Sequence, residues 1–293
     1  MKLVDTNSDL VCVWQANAKC GEGPLWDENE KALYWVDIDG KKAYRFIPKT
    51  TNKKFWDLPE KTGWLLRRKN YGGFVAGCQS GIHFIDLETE TFNLAVDPEP
   101  NRPGNRLNDA KCDIQGRIWA GSMDDYEKES TGWLYRVDKD LTLSRWDGPY
   151  KVTNGPAISS DDKILYHVDT FGRKIYAFDK YPDGTIRNRR LFTKFNKGDG
   201  YPDGLTVDDD KFVWVAHWGG WRITRFAPDG SVDSILPIPV PQVTNCTFGG
   251  PTMDTLYITT AARGLDLNEF PCAGGLFSVS VPFTGPPSPV FSG

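Results

Sequence analysis

A short strand-like segment recurs six times along this chain of 293 residues, and its spacing restricts the folds that the chain can adopt. Each copy is an apolar run rich in β-branched and aromatic residues, which favour strands over helices. The copies start roughly 40–50 residues apart, at residues 33–37, 73–77, 118–122, 165–169, 213–217 and 256–260. Repeats of this length are typical of arrays and propellers.

The residues around each copy complete a four-stranded unit. Most copies follow a turn signal such as Asp208-Asp209-Asp210, since Asp tolerates left-handed backbone and hydrogen bonds to its own backbone. Most are followed by a further aromatic strand, by a second turn such as Pro228-Asp229-Gly230, and by a fourth strand. Six such units predict an all-β fold, a six-bladed β-propeller with four-stranded antiparallel blades. No linker interrupts the repeat, so residues 1–293 are expected to form a single domain, with the Pro-rich residues 286–289 as a tail.

Composition argues against several classes of partner. The net charge is −4 and the lysines and arginines are scattered, whereas a nucleic-acid-binding face needs clustered basic residues. No apolar run is long enough to span a bilayer, and the N-terminus lacks the apolar core of a secretory signal. We therefore expect a cytoplasmic protein that binds neither nucleic acid nor membranes. The six cysteines form no Cys-x-x-Cys pair and are expected to be buried thiols.

Superimposing the six units places oxygen-bearing side chains at one shared position. About ten or eleven residues before the recurring segment, one hairpin arm earlier, five of the six units carry Glu, Asp or Asn: Glu22, Asn108, Asn154, Asp203 and Asn245. The second unit has Gly63 or Trp64 at this point. In a propeller these positions, at the start of the innermost strands, surround one end of the central channel. Carboxylate and amide oxygens that converge there would bind a hard or borderline divalent cation.

Any one of these residues alone would also fit an ordinary turn dipeptide such as Asn-Gly or Asp-Gly. Turn formation gives no reason for an oxygen-bearing side chain to occupy the same position in every unit, so the shared register favours a binding site. Residues 208–210 lie outside that register and are interpreted as a hairpin turn. Asp37 and Asp169 occupy equivalent strand ends and are interpreted as capping or turn residues.

Other kinds of catalytic site lack a signal in the sequence. His83, His167 and His217 show no His-Glu-x-x-His spacing. We expect His83 on a blade face, His167 between blades, and His217 at a strand end, where it could approach the channel. No nucleophile elbow, phosphate loop or dinucleotide-binding fingerprint is present, which leaves serine catalysis and nucleotide binding without support.

At these residues the chain resembles the family of senescence marker protein 30 (regucalcin), gluconolactonase and related sugar lactonases. The matching segments follow one another in the family's order from Gly21 to the last strand, and together they are specific. They are residues 20–26 (CGEGPLW), 33–38 (LYWVDI), 105–113 (NRLNDAKCD), 116–123 (GRIWAGSM), 159–170, 202–205 (PDGL) and 246–250 (CTFGG).

The resemblance implies a six-bladed propeller with one divalent metal ion at the channel mouth. It assigns metal-ligand roles to Glu22, Asn154 and Asp203. Two carboxylates and an amide suit several ions, so Ca²⁺, Zn²⁺, Mn²⁺, Mg²⁺ and Fe²⁺ all stay open.

The reaction that the resemblance implies is hydrolysis of an aldonolactone (glucono-, xylono-, galactono- or arabinonolactone) to the aldonic acid. A metal-activated water would attack the carbonyl, with Asp203 as the general base. Arg106 and Asn108 are assigned to sugar contacts or to support of the metal ligands. Asp125 takes the place of a substrate-contacting Glu of many relatives, with a shorter side chain.

Three further residues are candidates for contact with the substrate. Trp64, from the second unit, could form an apolar wall under the sugar ring. His217 and Asn245 come from strands that border the channel, and whether they reach the substrate stays open.

Two alternatives of other kinds also stay open. One is a non-catalytic propeller that binds calcium or a protein partner, since a fold does not fix a function. The other is a hydrolase of aryl esters or organophosphates that uses the same metal site. The partner expected for the favoured interpretation is a small-molecule sugar lactone, and the chain is expected to be a monomer or a weak homo-oligomer.

Overall fold

Six four-stranded antiparallel sheets surround a central channel in the computed structural model, which describes residues 2–70 and 72–293. The inner strands contact one another in a closed cycle, from the first blade through the sixth and back to the first. The all-β, six-bladed propeller is therefore confirmed. Helical structure in the described ranges is limited to 3₁₀ turns at Pro48–Thr50 and Lys197–Asp199. None of the helices among those residues has the length and apolar character needed to cross a membrane.

The strands follow the order of the repeat, from the channel outward within each blade. The first strand, β1 (Val11–Trp14), belongs to blade six. Blade one contains β2 (Gly21–Asp27), β3 (Ala32–Asp37), β4 (Lys42–Ile47) and β5 (Asn52–Asp57), and blade two contains β6 (Thr62–Arg67), β7 (Phe74–Cys78), β8 (Gly81–Asp86) and β9 (Thr91–Val96). Blade three contains β10 (Asn105–Cys112), β11 (Ile118–Asp124), β12 (Gly132–Val137) and β13 (Leu143–Tyr150). Blade four contains β14 (Thr153–Ile158), β15 (Ile164–Asp169), β16 (Lys174–Lys180) and β17 (Ile186–Lys194). Blade five contains β18 (Tyr201–Val207), β19 (Val213–Trp218), β20 (Arg222–Phe226) and β21 (Val232–Pro237), and blade six contains β22 (Val243–Gly249), β23 (Thr255–Thr260) and β24 (Leu276–Ser280).

The two ends of the chain close the ring. Strand β1 adds to the outer edge of blade six by pairing antiparallel with β24, so that Val11 faces Ser278. Near the C-terminus, Phe291 is fully buried and bridges to blade two beside Arg68. The Pro-rich tail lies across the channel end formed by the far ends of the inner strands, which leaves the opposite end as the channel mouth.

Tryptophans in the second strands of three blades fill the spaces between blades. Trp35, Trp119 and Trp214 are completely buried, and Trp35 stacks on Tyr44 with ring centroids 4.1 Å apart. Each such side chain removes about 150–250 Å² of surface from water. The apolar clusters join neighbouring blades, as between blades four and five. Because the core lies between the blades, the channel is left to polar side chains.

Each inner strand carries a β-bulge near its start. The pairing register shifts between Glu22 and Leu25, Thr62 and Trp64, Leu107 and Ala110, Asn154 and Ala157, Pro202 and Leu205, and Val243 and Asn245. Gly23 and Gly155 have φ of 56° and 68° at these bulges, a left-handed conformation that glycine adopts without steric cost. A bulge inserts an extra residue and redirects its side chain. Here the bulges occupy the shared position that the superimposed repeats identify.

The turn predictions are confirmed, with one addition. Asp37 and Asp169 accept hydrogen bonds from the turn N–H groups of Gly40 and Gly172, both at 2.9 Å. Within residues 208–210, however, the first carboxylate is completely buried and accepts hydrogen bonds from Trp214 Nε1 and from a neighbouring arginine, both at 2.9 Å. This aspartate therefore anchors a core tryptophan in addition to forming a turn.

The expectation of six buried thiols is only partly right. All six cysteines are free, and Cys78, Cys112 and Cys246 are buried between blades. Three others are partly exposed: Cys12, Cys20 and Cys272. Cys12 is exposed because it lies on the outermost strand of blade six, and Cys20 because it lies at the channel mouth.

Candidate active site

The channel mouth holds a cavity of about 180 Å³ whose floor consists of the bulged positions of four blades. Glu22, Asn108, Asn154 and Asp203 all line it, although each is at least nine-tenths buried. The structure thus brings together the three residues assigned as metal ligands. It also shows why blade two contributes no oxygen, since its strand offers Gly63 at this level and turns Trp64 away.

Asn245 lies directly below this floor and has no exposed surface. Its Nδ2 donates to Glu22 Oε2 at 2.8 Å and to Asp109 Oδ2 at 3.2 Å. Asp109 also accepts from the N–H of Gly155 at 3.1 Å. Asn245 therefore holds two carboxylates in place rather than reaching the cavity. Asp109 is a site residue that the repeat superposition missed, because Asn108 occupies the shared register one residue earlier.

Burial raises the pKa of all three buried carboxyl groups, Glu22, Asp109 and Asp203. Burial, followed by the charge of Asp109, raises the pKa of Glu22 to about 8. Burial and the charges of Glu22 and Asp109 raise the pKa of Asp203 well above its ordinary value. Burial is also the main cause of the raised pKa of Asp109. Confined carboxylates disfavour the ionised form in this way unless a positive charge compensates them.

A divalent cation fits this donor set. Buried charges in proteins are paired or coordinate metals, and Glu22, Asn154 and Asp203 present only oxygen donors to the cavity. Asn154 is oriented for this task, because its Nδ2 donates to Thr170 Oγ1 at 3.0 Å while its Oδ1 lies 3.0 Å from Asn108 Nδ2. Oxygen donors of this kind suit Ca²⁺, Mg²⁺ and Mn²⁺ best, and Zn²⁺ and Fe²⁺ also accept them.

Arg106 is fixed beside the floor by a chain of charged groups. Its Nε donates to Asp125 Oδ1 at 2.8 Å, and its Nη1 donates to Asn108 Oδ1 at 2.5 Å. Lys61 Nζ also donates to the Asp125 carboxylate, at 2.9 Å. Although burial works in the opposite direction, the hydrogen bonds and charges of Lys61 and Arg106 lower the pKa of Asp125. Asp125 thus holds Arg106 in place, and its direct contact with a substrate stays a prediction.

One side of the cavity is aromatic. Phe171, Tyr201 and Trp218 line it, and the rings of Phe171 and Tyr201 are 5.8 Å apart. Trp64, the aromatic residue expected here, is instead buried between blades two and three against Gly77. That expectation is wrong because the bulge in β6 directs the indole toward the neighbouring blade.

Two charged residues from distant loops stand at the rim of the cavity. Arg263 Nη1, before β24, lies 3.0 Å from Glu127 Oε1, which follows β11. Arg263 Nε is also 3.7 Å from Asp39 in blade one. Nothing in the repeat pattern marks Arg263 or Glu127, because both lie in loops outside the superimposed strands.

The three histidines lie away from the floor of the cavity. His217 packs against Phe195 with ring centroids 4.4 Å apart, and its Nδ1 lies 2.7 Å from the carbonyl oxygen of Asp199. His167 is fully buried against Tyr150 of the preceding blade. His83 lies in β8 of blade two and is buried, because its ring packs against Phe92 in that blade's outer strand.

A second group of potential ligands lies to one side, in blade two. The ligand atoms of Glu60, Cys78 and His83 are all within 4.8 Å of one another. Glu60 and Cys78 border a separate cavity of about 330 Å³. The Glu60 carboxylate is engaged by the N–H and hydroxyl of Ser80, at 2.9 and 2.5 Å. This group shares no residue with the set assigned from the repeat.

Comparison with known proteins covers most of the chain. A family model described as "SMP-30/Gluconolactonase/LRE-like region" matches residues 20–262. The chain is 32% identical over 291 residues to 6-deoxy-6-sulfogluconolactonase of Pseudomonas putida. That match covers 98% of this chain and 100% of the relative. It is also 33% identical over 279 residues to L-arabinolactonase of Azospirillum brasilense. The second match covers 93% of this chain and 92% of the relative.

Among solved structures, the luciferin-regenerating enzyme superimposes with a TM-score of 0.91 at 28% sequence identity. The match covers 97% of this chain and 99% of that one. The likeness therefore extends over the whole ring of blades.

Proposed function

This chain belongs to the SMP-30/gluconolactonase/LRE-like family, and we propose that it is a metal-dependent sugar lactonase that hydrolyses an aldonolactone to the aldonic acid. The observation that carries the proposal is the convergence of Glu22, Asn154 and Asp203 on the floor of one cavity beside Arg106 and Asn108. A non-catalytic scaffold has no need for buried, mutually repelling carboxylates in an accessible cavity.

Glu22, Asn154 and Asp203 would hold one divalent cation. When bound, such an ion would polarise the lactone carbonyl, stabilise the negative charge that develops on its oxygen, and lower the pKa of a nearby water. Its charge would also offset the repulsion that raises the pKa of Glu22 and Asp203.

We assign the proton transfer to Asp203. Its carboxylate faces the cavity, and burial together with the charges of Glu22 and Asp109 favours its protonated form. With a bound cation offsetting this repulsion, Asp203 would be ionised and able to accept the proton from an attacking water. The same oxygen can return the proton to the ring oxygen that leaves when the lactone opens.

Arg106 and Asn108 would orient the sugar. Arg106 is already fixed by Asp125, so little side-chain entropy is lost when it binds a hydroxyl or the lactone oxygen. On the aromatic side, Phe171, Tyr201 and Trp218 offer an apolar face to the C–H bonds of a sugar ring. Two of the relatives are named for different sugars, so we propose the class of aldonolactones rather than one member.

The test is a panel of glucono-, xylono-, galactono- and arabinonolactone. The protein is stripped with a chelator and reloaded with Ca²⁺, Zn²⁺, Mn²⁺, Mg²⁺ or Fe²⁺ in turn, and proton release is followed. We expect turnover of at least one lactone with at least one ion. Asp203→Ala should lose bound metal and at least about 100-fold in activity, the scale of a lost general base.

The matched control is Asp210→Ala, which removes a carboxylate from the same blade at the far end. The Asp210 side chain is 72% exposed and is remote from the cavity. Both variants should keep the circular dichroism spectrum of the unmodified protein. Full activity of metal-stripped Asp203→Ala protein would contradict the proposal. Turnover of aryl esters or organophosphates without any lactone would favour the other-ester alternative, and no turnover at all would favour a non-catalytic propeller.

A further inference from the structure

We propose that Cys12 and Cys272 form a reversible disulfide that fastens the closing strand of the propeller to blade six. The two residues are 260 positions apart in the chain. The ring brings them together because β1 is added to the edge of the blade whose other three strands come from the C-terminal part.

The two cysteines flank a single glycine. Cys12 lies in β1 opposite Phe277 of β24, and Cys272 lies in residues 261–275, the loop that leads into β24. A methyl group on Gly275 would stand 2.8 Å from Cys12 Sγ and 2.8 Å from the carbonyl oxygen of Cys272. Only a glycine fits between them, so the two cysteines are close neighbours.

Their thiols also interact. Burial, followed by the electrostatic effect of the neighbouring Cys272, raises the pKa of Cys12 to about 12. Gln15 Nε2, also from the N-terminal segment, donates to Cys272 Sγ at 3.5 Å. Both thiols pack at the edge of the same apolar cluster of blades five and six.

Exposure distinguishes this pair from the other cysteines. Cys12 and Cys272 are partly exposed, so a small oxidant can reach them, whereas Cys78, Cys112 and Cys246 are buried. Cys20 is also partly exposed, but it borders the channel mouth, where it faces Glu22 and Arg106.

The oxidant required is a small-molecule disulfide such as oxidised glutathione. In the first exchange, the thiolate of one cysteine attacks a glutathione sulfur, and one glutathione leaves as a thiolate. In the second, the other cysteine's thiolate attacks its partner's sulfur in the mixed disulfide and releases the second glutathione. Two protein thiols are oxidised, one glutathione disulfide is reduced to two thiols, and the protons lost by the cysteines pass to glutathione.

The disulfide would strengthen the closure of the ring. Without it, β1 is held to β24 by backbone pairing and packing alone, and its release opens blade six at the edge. A covalent link across 260 residues restricts the unfolded chain far more than it restricts the native ring. The linked loop also carries Arg263, at the rim of the cavity.

The test is to treat the native protein with oxidised glutathione at about pH 8.5, an alkaline pH that increases the thiolate fraction of the cysteines. Free thiols are then alkylated at low pH, and the protein is digested without reduction. We expect a cross-linked peptide pair containing Cys12 and Cys272, an intact mass lower by two hydrogens, and reversal by dithiothreitol. The melting temperature should rise on the order of 5–10 °C on oxidation.

Cys12→Ser and Cys272→Ser should each abolish the cross-link and the rise in melting temperature, and Cys20→Ser should keep both. Mapping of the unmodified protein needs no variant, so the test does not depend on how the serine variants fold. The proposal is overturned if both cysteines are recovered alkylated or separately glutathionylated. It is equally overturned if the cross-link forms and the melting temperature does not change.

Discussion

Asp125 illustrates how a short side chain can act through a longer one. Its carboxylate is shared between Lys61 and Arg106, and Lys61 in turn reaches Asp39 of blade one at 3.1 Å. Three blades are thereby connected through one set of charges at the rim of the cavity. Because Arg106 is only 9% exposed, loss of its partner would leave a largely buried cation without compensation.

Asp125→Asn is therefore expected to weaken substrate binding if the proposed function holds. An amide in place of the carboxylate leaves Arg106 and Lys61 with one neutral acceptor, at a cost of about 1.5–3 kcal/mol for each charged hydrogen bond that is lost. We expect KM to rise about tenfold or more while kcat changes less, since tenfold corresponds to about 1.4 kcal/mol. Steady-state kinetics on the best lactone provides the measurement.

Asp125→Glu is the matched control, because it keeps the charge and should restore most of the affinity. A fall in kcat with unchanged KM would instead indicate that Asp125 contacts the reacting atoms. That result would favour the direct substrate contact over the positioning of Arg106.

At the scale of the strand, the inner strands approach one another so closely that some positions admit only glycine. A methyl group on Gly63 of β6 would overlap the carbonyl oxygen of Asn108 and stand 2.7 Å from that of Leu107, both in β10. A methyl group on Gly204 of β18 would overlap the side-chain amide of Asn245. Glycine at these positions lets the bulged strands meet, and the meeting places the oxygens around one cavity.

Gly63→Ala is expected to destabilise the protein and to displace Asn108. Overpacking of a tight contact costs on the order of 1–3 kcal/mol, and here the atom in the way is backbone rather than a flexible side chain. The free energy of unfolding from urea titration should fall by that amount, and metal affinity should fall with it.

Gly198→Ala is the control for this substitution, because a methyl group there meets nothing within 4 Å. It lies in the exposed turn before β18 and should leave both quantities unchanged. If Gly63→Ala unfolds at the same urea concentration as Gly198→Ala, the close approach of β6 and β10 does not limit stability.

At the scale of the whole molecule, two buried histidines make stability depend on pH. Burial lowers the pKa of His167 from 6.5 to about 4, more than the opposing charge of Asp147 raises it. Burial likewise lowers the pKa of His217 to about 4. Each histidine stays neutral in the native state and takes up a proton on unfolding below pH 6.5, so stability is lost as pH falls from about 6.5 to about 4.

For His167 the loss should amount to roughly 3 kcal/mol over this range, at 1.36 kcal/mol per pKa unit. His167→Phe removes the titrating group. Comparing the two proteins separates the effect of His167 from that of the carboxyl groups of the site, which titrate in both. Between pH 7.5 and pH 4, the free energy of unfolding of the unmodified protein should fall by about that much more than the free energy of unfolding of the variant. A pH-independent difference would mean that His167 is hydrated or charged in the native state.

Much of the fold follows from patterns that are local in sequence. Strand propensity and turn chemistry act over a few residues, so the six repeats and their four strands can be read without a structure. The shared register identified Glu22, Asn108, Asn154 and Asp203 because each precedes its strand by ten or eleven residues. Their roles as ligands and base stay predictions, whereas their meeting in one cavity is observed.

Only the tertiary structure decided the contacts between blades. Phe171 and Tyr201, Arg263 and Glu127, and Cys12 and Cys272 belong to different blades or to opposite ends of the chain, and nothing local in the sequence pairs them. Trp64 lies next to the register of the ligands, yet the bulge in β6 turns it into the core. Sequence determined the unit because hydrogen bonding within a blade is local. The tertiary structure decided the walls and rim of the site and the closure of the ring, because the distances between blades depend on how all six blades pack together.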